Sequence, residues 1–380
     1  MAVGVMSKRK KPLIRRIHDL YYSVSERMGI RPETAECLAG AEVVSGQDTG
    51  CCELDNSDEA NLYGLKDFSV QYDWPKALVG VFHDVYVVGD QGVIYDRSGR
   101  LLRGGWADLS PTLYKPRRPI GCLAKQRKGK YLHLTGVNHE NHGHFLLQHL
   151  PRLLVAERAL YQKTSSAKTW VAPGHKLRQG YYLEALGWER DRLVEGSYGT
   201  VLVEELVVTQ SLFGASGLVD PVHYRKLHKA FSSMGQQASS HGEVLFLSRE
   251  DAPDKRLANE TEIIEECRKI WPSLKVFRLS EHAPDEQRAM LAEAEWLIGP
   301  QGQAWVSPLF CTNAKCIILG FGSKNVSGWT ANYRNLSLAC GHRALGVMSE
   351  DGLNAEGNWV FPRIQASELL RNAYDILVSK

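Results

Sequence analysis

The chain has no Asp-x-Asp, no Cys-x-x-Cys pair and no apolar run near the roughly 18 residues that cross a bilayer. The missing Asp-x-Asp removes the usual handle for a metal-bound nucleotide sugar. The missing Cys-x-x-Cys removes zinc-ribbon spacing, so Cys37, Cys51, Cys52, Cys122, Cys267, Cys311, Cys316 and Cys340 read as reduced, mostly buried thiols. An excess of one charge is also lacking. Lys and Arg number 46 against 43 Asp and Glu, and the net charge of +3 is too small to argue for nucleic-acid binding across the surface. Lys8–Lys11, Arg15 and Arg16 make the N-terminus basic, but no apolar signal-peptide core follows them, and the expected location is cytoplasmic.

What is present is a soluble composition, 43% apolar and 23% charged, over 380 residues, which predicts two domains. Leu13–Met28 has helical spacing with a basic leading edge. A solvated basic tail ahead of a packed helix is the stronger reading; peripheral contact with an anionic membrane at its inner face is the alternative. Gly46–Ala60 is polar and acidic, and reads as a loop. Val85–Val88 and Val93–Tyr95, separated by Gly89–Gly92 and followed by the turn Asp96–Gly99, read as an antiparallel meander. A basic stretch, Lys115–Lys130, precedes a strand at Tyr131–Thr135. Ser232–Gly242 is the best linker candidate.

The second half is more regular. Strands at Val244–Leu247, Val276–Leu279, Trp296–Ile298 and Ile317–Leu319 alternate with helices, one of them opened by a capping box at Asn259-x-x-Glu262. Strand and helix in alternation predict a parallel, Rossmann-like sheet whose ligands lie at the carboxyl ends of the strands. The predicted division is 1–60, a basic helix and loop; 61–235, an α/β domain; 236–345, a Rossmann-like domain; and 346–380, a C-terminal helix packing back.

Three stretches carry chemistry. Ser248-Arg249-Glu250 follows a strand, with Arg256 nearby; an arginine fork makes two charged hydrogen bonds to a diphosphate, and a salt bridge to Glu250 or Asp251 is the alternative. Gly299-Pro300-Gln301-Gly302-Gln303 joins a strand to a helix, where backbone N–H groups can approach phosphate oxygens. Asn138–Arg152 holds four of the thirteen histidines, His139, His142, His144 and His149, beside an apolar run at helical spacing that Pro151 should kink or restart. His-x-x-His-x-His over His139–His144 offers metal ligands but matches no zinc template. A base or hydrogen-bonding role for one histidine is the stronger reading.

Asn141-His142-Gly143-His144-Phe145-Leu146-Leu147, continuing through Leu150-Pro151-Arg152-Leu153, resembles the Asn-Tyr-x-His-Trp-Leu…Leu-Pro-Arg-Leu signature of glycosyltransferase family 61. Leu247–Asp251 with Arg256 and Asn259-Glu260, Leu279-Ser280 with Glu286-Gln287, and Ile298–Gly302 are similar to that family's later motifs, in order, over about residues 80–320. The glycine loop departs from the pattern: Gln301 stands where the family has histidine, Gln303 where a small residue is usual, and Trp305 is bulkier.

The resemblance implies an α/β, GT-B-like architecture of two Rossmann-like domains facing an interdomain cleft. It implies an inverting hexosyl- or pentosyltransferase that needs no metal and takes a nucleotide-sugar donor, UDP-linked. The expected acceptor is a glycan or lipid-linked saccharide in surface polysaccharide or capsule synthesis. His144 is expected as base, with His142 next. Ser248, Arg249, Arg256, Glu260, Gly299, Gln301, Gly302 and Gln303 are expected at the donor, with Glu260 on the ribose or bracing an arginine. Asn141 is expected to hold the loop, and Arg152 to contact an anion or brace the fold. The rivals are a metal-dependent hydrolase built on His139–His144 and a non-catalytic nucleotide- or sugar-binding protein.

Overall fold

A computed structural model of the chain describes residues 34–37, 41–47, 50–53, 71–74, 76–103, 119–136, 138–160, 166–210, 212, 220–233, 242–321, 327–349 and 353–379. The helix expected at Leu13–Met28 lies outside these residues, as do most of the expected linker and the first part of the basic stretch. The described residues group into two units, one drawn from Met1–Gly50 and Trp74–Ala215, the other from Cys51–Asp73 and Ser216–Lys380.

The first unit is built on a mixed sheet of β1 (Thr34–Cys37), β2 (Glu42–Gln47), β5 (Ala77–Val88), β6 (Val93–Tyr95), β7 (Leu101–Arg103), β8 (Lys125–His133), β9 (Lys168–Val171), β10 (Leu193–Glu195) and β11 (Thr200–Thr209). Strands β3 (Gly50–Glu53) and β4 (Gln71–Trp74) pair separately, so part of the loop expected at Gly46–Ala60 is extended.

The meander at β5–β6–β7 is antiparallel as read from its turns. Gly89 and Gly92, at φ +74° and +66°, supply the left-handed backbone of the first turn. The Asp96 carboxylate accepts the N–H groups of Ser98 and Arg100 in the second. The other half is parallel: β8 runs beside β9 and β11, and β9 beside β10. Val85 and Val87 on β5, and Val201 and Val203 on β11, alternate into one core with Phe82, Ile94 and Trp170.

The second unit carries a fully parallel sheet in the order β13 (Lys275–Phe277), β12 (Glu243–Leu247), β14 (Ala294–Pro300), β15 (Lys315–Phe321), β16 (Arg343–Ser349). Numbered from its first strand this is 2-1-3-4-5, a doubly wound sheet whose order reverses between β12 and β14. Both faces are covered, so its strands are near-continuous apolar runs. Val244, Phe246, Trp296, Ile298, Ile317, Leu319, Leu345 and Val347 point to the face where the helices Glu260–Ile270 and Arg363–Val378 lie. The second helix presents Ala366, Leu370, Ala373 and Leu377 to that core, a spacing of three and four residues that makes one stripe.

Local sequence explains the helix ends. Asp220 accepts the Val222 N–H at 2.9 Å and Pro221 opens the helix Pro221–Ser232, where both were expected. The capping box at Asn259 does not form in the expected way. The Asn259 amide instead donates to the Phe361 carbonyl at 2.8 Å and its oxygen accepts the Phe361 N–H at 3.1 Å, tying the helix start to the segment before Arg363. The helix expected after Gly302 is a 3₁₀ stretch, Gln303–Leu309, with Pro308 inside it. Among the described residues no helix is long and apolar enough to cross a membrane.

Candidate functional site

On the first unit, the histidine stretch leaves β8 through a turn at Asn138, whose φ of +55° asparagine tolerates better than most residues. Asn141 accepts the His144 N–H at 3.1 Å, capping a turn His142–His144. A π-helical turn, Phe145–His149, follows and runs directly into the helix Leu150–Ala159. Pro151 has no N–H, and in an α-turn its ring would press on the Leu147 carbonyl; the wider turn accommodates it without ending the helix.

The four histidines take separate environments. His144 is half-buried, and its Nδ1 lies 2.8 Å from the Gln148 amide oxygen one turn on. With the Gln148 oxygen as acceptor, the bond is made by an Nδ1–H, the tautomer whose Nε2 carries the lone pair. The His142 ring stacks obliquely on Tyr182, with centroids 5.4 Å apart. Burial, and then the Arg178 charge, lower its pKa to about 3, so it stays neutral and weakly basic.

His149 and Arg152 belong to the core. Arg152 donates from Nε to the Thr209 carbonyl at 3.2 Å and from Nη1 to the Thr135 carbonyl at 3.2 Å, with the Nδ1 of His149 at 3.4 Å and of His133 at 3.5 Å. It is 2% exposed and braces β8, β11 and the helix together. The sequence cluster His139-His142-His144 is therefore dispersed. Among the described residues, the gathered set of metal-ligand type is His139, Glu140 and His175.

On the second unit, Ser248–Arg249 leaves the carboxyl end of β12 and Gln301–Gln303 leaves that of β14, on the two sides of the switch in strand order. Gly299 lies against β12: a Cβ there would stand 2.6 Å from the Leu247 carbonyl oxygen. Gly302 lies against Arg249, where a Cβ would fall 1.5 Å from Nη1. The Arg249 guanidinium donates from Nη2 to the Asp254 carbonyl at 3.2 Å. Its Nε is buried without an acceptor, and it has no carboxylate partner among the described residues. Glu250, the alternative partner, pairs with Arg278.

Glu260 supports this loop from below. Its carboxylate accepts the Ser248 hydroxyl and, at 3.1 Å, the Arg249 backbone N–H. Burial raises its pKa, and these two hydrogen bonds act against the rise. Glu260 thus braces the backbone of the arginine loop. Gln301 turns inward: its amide oxygen accepts the Thr330 hydroxyl, and its N–H donates to the Leu319 carbonyl at 2.7 Å. Trp305 is fully buried and donates to the Pro300 carbonyl at 3.0 Å, locking the same loop. Gln303 is exposed.

Arg256 is not in the Arg249 contact set. It lines a cavity of about 560 Å³ with Arg268, Arg278, Ile264 and Val276, beside the carboxyl ends of β12 and β13. Three guanidinium groups and an apolar wall meet three carboxylates there, Glu250, Glu260 and Glu281, and Arg278 pairs with Glu250 and Glu281. Sequence reading missed Gln148, which its i+4 spacing from His144 could have found. It also missed Thr330, Arg178 and Arg278, which only the fold brings near.

Residues 142–318 match the family model described as Glycosyltransferase 61, a span that opens on the histidine stretch and ends in β15. No curated protein matches the chain.

Proposed function

We propose how this chain, a glycosyltransferase 61 protein across residues 142–318, moves a sugar: an acceptor hydroxyl displaces a nucleoside diphosphate, UDP, from the anomeric carbon with inversion, and no metal sits on the diphosphate. The acceptor oxygen forms the new bond to the anomeric carbon as the bond to the diphosphate breaks. The electron pair leaves with the diphosphate oxygen, and the hydroxyl proton passes to Nε2 of His144. A base of this kind contributes roughly 10²–10⁴-fold.

The observation that carries the reading is Arg249. It stands at the switch point, in contact with Gly302, without a carboxylate to neutralise it, where charge would develop on the leaving diphosphate. The hydrogen bond between His144 Nδ1 and the Gln148 amide oxygen, which suits a free Nε2 lone pair, supports the other half. His142 is the weaker candidate, because a group with a pKa of about 3 holds a proton poorly near neutral pH. In the neighbouring cavity Arg256 and Arg268 are the arginines that would meet the nucleotide's remaining parts, since Arg278 pairs with Glu250 and Glu281. A GT-B pairing of donor and acceptor domains, and a cytoplasmic role in building a surface polysaccharide or lipid-linked glycan, belong to the same proposal.

A thermal-shift panel of UDP-, GDP-, CMP- and TDP-sugars tests it. A UDP-sugar should stabilise the protein, also after chelator treatment, and Arg249→Ala should abolish the shift. A panel without any stabilising nucleotide sugar would remove the proposal's basis. Stabilisation without turnover would leave a binding protein.

A further inference from the structure

We infer that His139, Glu140 and His175 bind one divalent transition-metal ion of the zinc type. This goes beyond the transfer reading and does not rest on it. One ligand atom from each residue lies within 4.8 Å of the other two. Two come from adjacent residues on the Asn138–Asn141 turn, and the third from the residue that opens the helix Lys176–Ala185.

His139 is oriented as a ligand. It is 5% exposed, and its Nδ1 lies 2.9 Å from the Gly136 carbonyl oxygen. That acceptor requires an Nδ1–H, so Nε2 carries the lone pair, and it lies 3.9 Å from a Glu140 oxygen. A backbone carbonyl on the far nitrogen is the usual second partner of a metal-binding imidazole. The His175 ring stands edge-on to His139, with centroids 5.7 Å apart, and neither of its ring nitrogens has a hydrogen-bond partner among the described residues.

The two carriers are held together by Gln179, which is 2% exposed. Its Nε2 donates to the His139 carbonyl at 3.4 Å and its Oε1 accepts the Ala172 N–H at 3.3 Å.

Zinc needs nitrogen and oxygen donors at about 2.0–2.2 Å, which puts tetrahedral ligand pairs roughly 3.3 Å apart. Closure by up to about 1.5 Å is required. Glu140, 70% exposed, and the half-buried His175 can swing to supply it while His139 stays fixed. Glu140 and Glu195 bring negative charge to His175, against Arg178 and the His139 ring. Two imidazoles and one carboxylate suit zinc, cobalt or ferrous iron better than magnesium or calcium. The ion would pin the turn that leads into His142 and His144 to the start of the Lys176 helix. It would act there by ordering the turn rather than by touching the donor.

The test is zinc titration of the chelator-stripped full chain against a chromophoric chelator, with cobalt absorption as a second readout. One ion per chain is expected, with affinity lowered about tenfold or more in both His175→Ala and Glu140→Gln, and unchanged in His144→Ala. Glu140→Gln carries the test if His175→Ala fails to fold, since the Glu140 side chain lies mostly in water. Absence of binding, or equal binding in these variants and the wild type, would overturn the site. Loss in His144→Ala instead would return the ligands to the His139–His144 cluster.

Discussion

Gly302 and Arg249 form a tight pair at the carboxyl ends of β12 and β14, and their contact makes a specific mutation informative. A methyl at position 302 would occupy the place of the Arg249 guanidinium, 1.5 Å from Nη1, and the flexible arginine would have to leave. Gly302→Ala is expected to weaken UDP binding about as much as Arg249→Ala, on the order of tenfold or more, with little change in melting temperature. Calorimetric titration of both variants checks this, and wild-type affinity in Gly302→Ala would detach Arg249 from the diphosphate. The places of Arg249 and Gly302, each two residues past an apolar strand, were legible in the sequence because strand and helix alternate there. The inward turn of Gln301 was not, because Thr330 lies 29 residues away and meets it only once β14, β15 and the following helix have packed. Nor does sequence spacing rank His142 against His144. Their separation comes from burial beside Arg178 in one case and a hydrogen bond to Gln148 in the other.

Elements were legible where periodicity and caps agreed. The strands from β12 to β15 stand within a few residues of their expected places, and Asp220-Pro221 starts its helix as read. The Asn259 cap failed for a tertiary reason: pairing with the Phe361 backbone took up its amide. The Pro151 signal was real: Pro151 stands in the first turn of the α-helix that starts at Leu150, after the π-turn Phe145–His149.

A second tertiary link joins the same two helices. Glu266 on the helix Glu260–Ile270 accepts from Lys269 and from Arg363, at the start of the C-terminal helix. The Lys269 and then the Arg363 hydrogen bonds lower its pKa from 4.5 to about 2. Because the folded pKa is depressed, this stabilisation is present above pH 4.5 and is lost as pH falls towards 2. Both cations are about half in water, so its worth is about 1 kcal/mol. Glu266→Gln is expected to lower stability by that order at pH 7 and to match the wild type near pH 2. Denaturant titration at the two pH values reads the difference; an equal loss at both would assign the effect to packing.

Across the whole molecule, each unit buries a histidine whose hydrogen bonds require the neutral ring. In the first unit, His133 donates from Nε2 to the Gly92 carbonyl at 2.8 Å, while Nδ1 faces Arg152; burial and then Arg152 take its pKa to about 3. In the second, His342 donates from Nε2 to the Pro308 carbonyl at 2.7 Å and its Nδ1 accepts the Ala314 N–H; burial leads the fall to about 4. The unfolded chain takes up protons below about pH 6.5 that these folded rings refuse, so stability should fall as pH drops from about 6.5 towards 4 and 3. Thermal unfolding between pH 7 and 4 checks this. His342→Gln should flatten the slope, and an unchanged slope would assign the acid loss to other groups.

The mixed sheet of the first unit was only half legible, because a short strand such as β10 carries no period long enough to read and its pairing is decided by chain crossings. The parallel sheet of the second unit was legible because burial on both faces writes continuous apolar runs into the sequence.

The central claim is that His144 takes the acceptor's proton while Arg249 meets the leaving diphosphate. It is tested most directly by measuring nucleoside diphosphate release from UDP-sugars by wild type and His144→Ala, alongside the donor affinity of each. Release slowed by about 10²-fold or more with unchanged donor affinity is the expected result. Wild-type release by His144→Ala would contradict it.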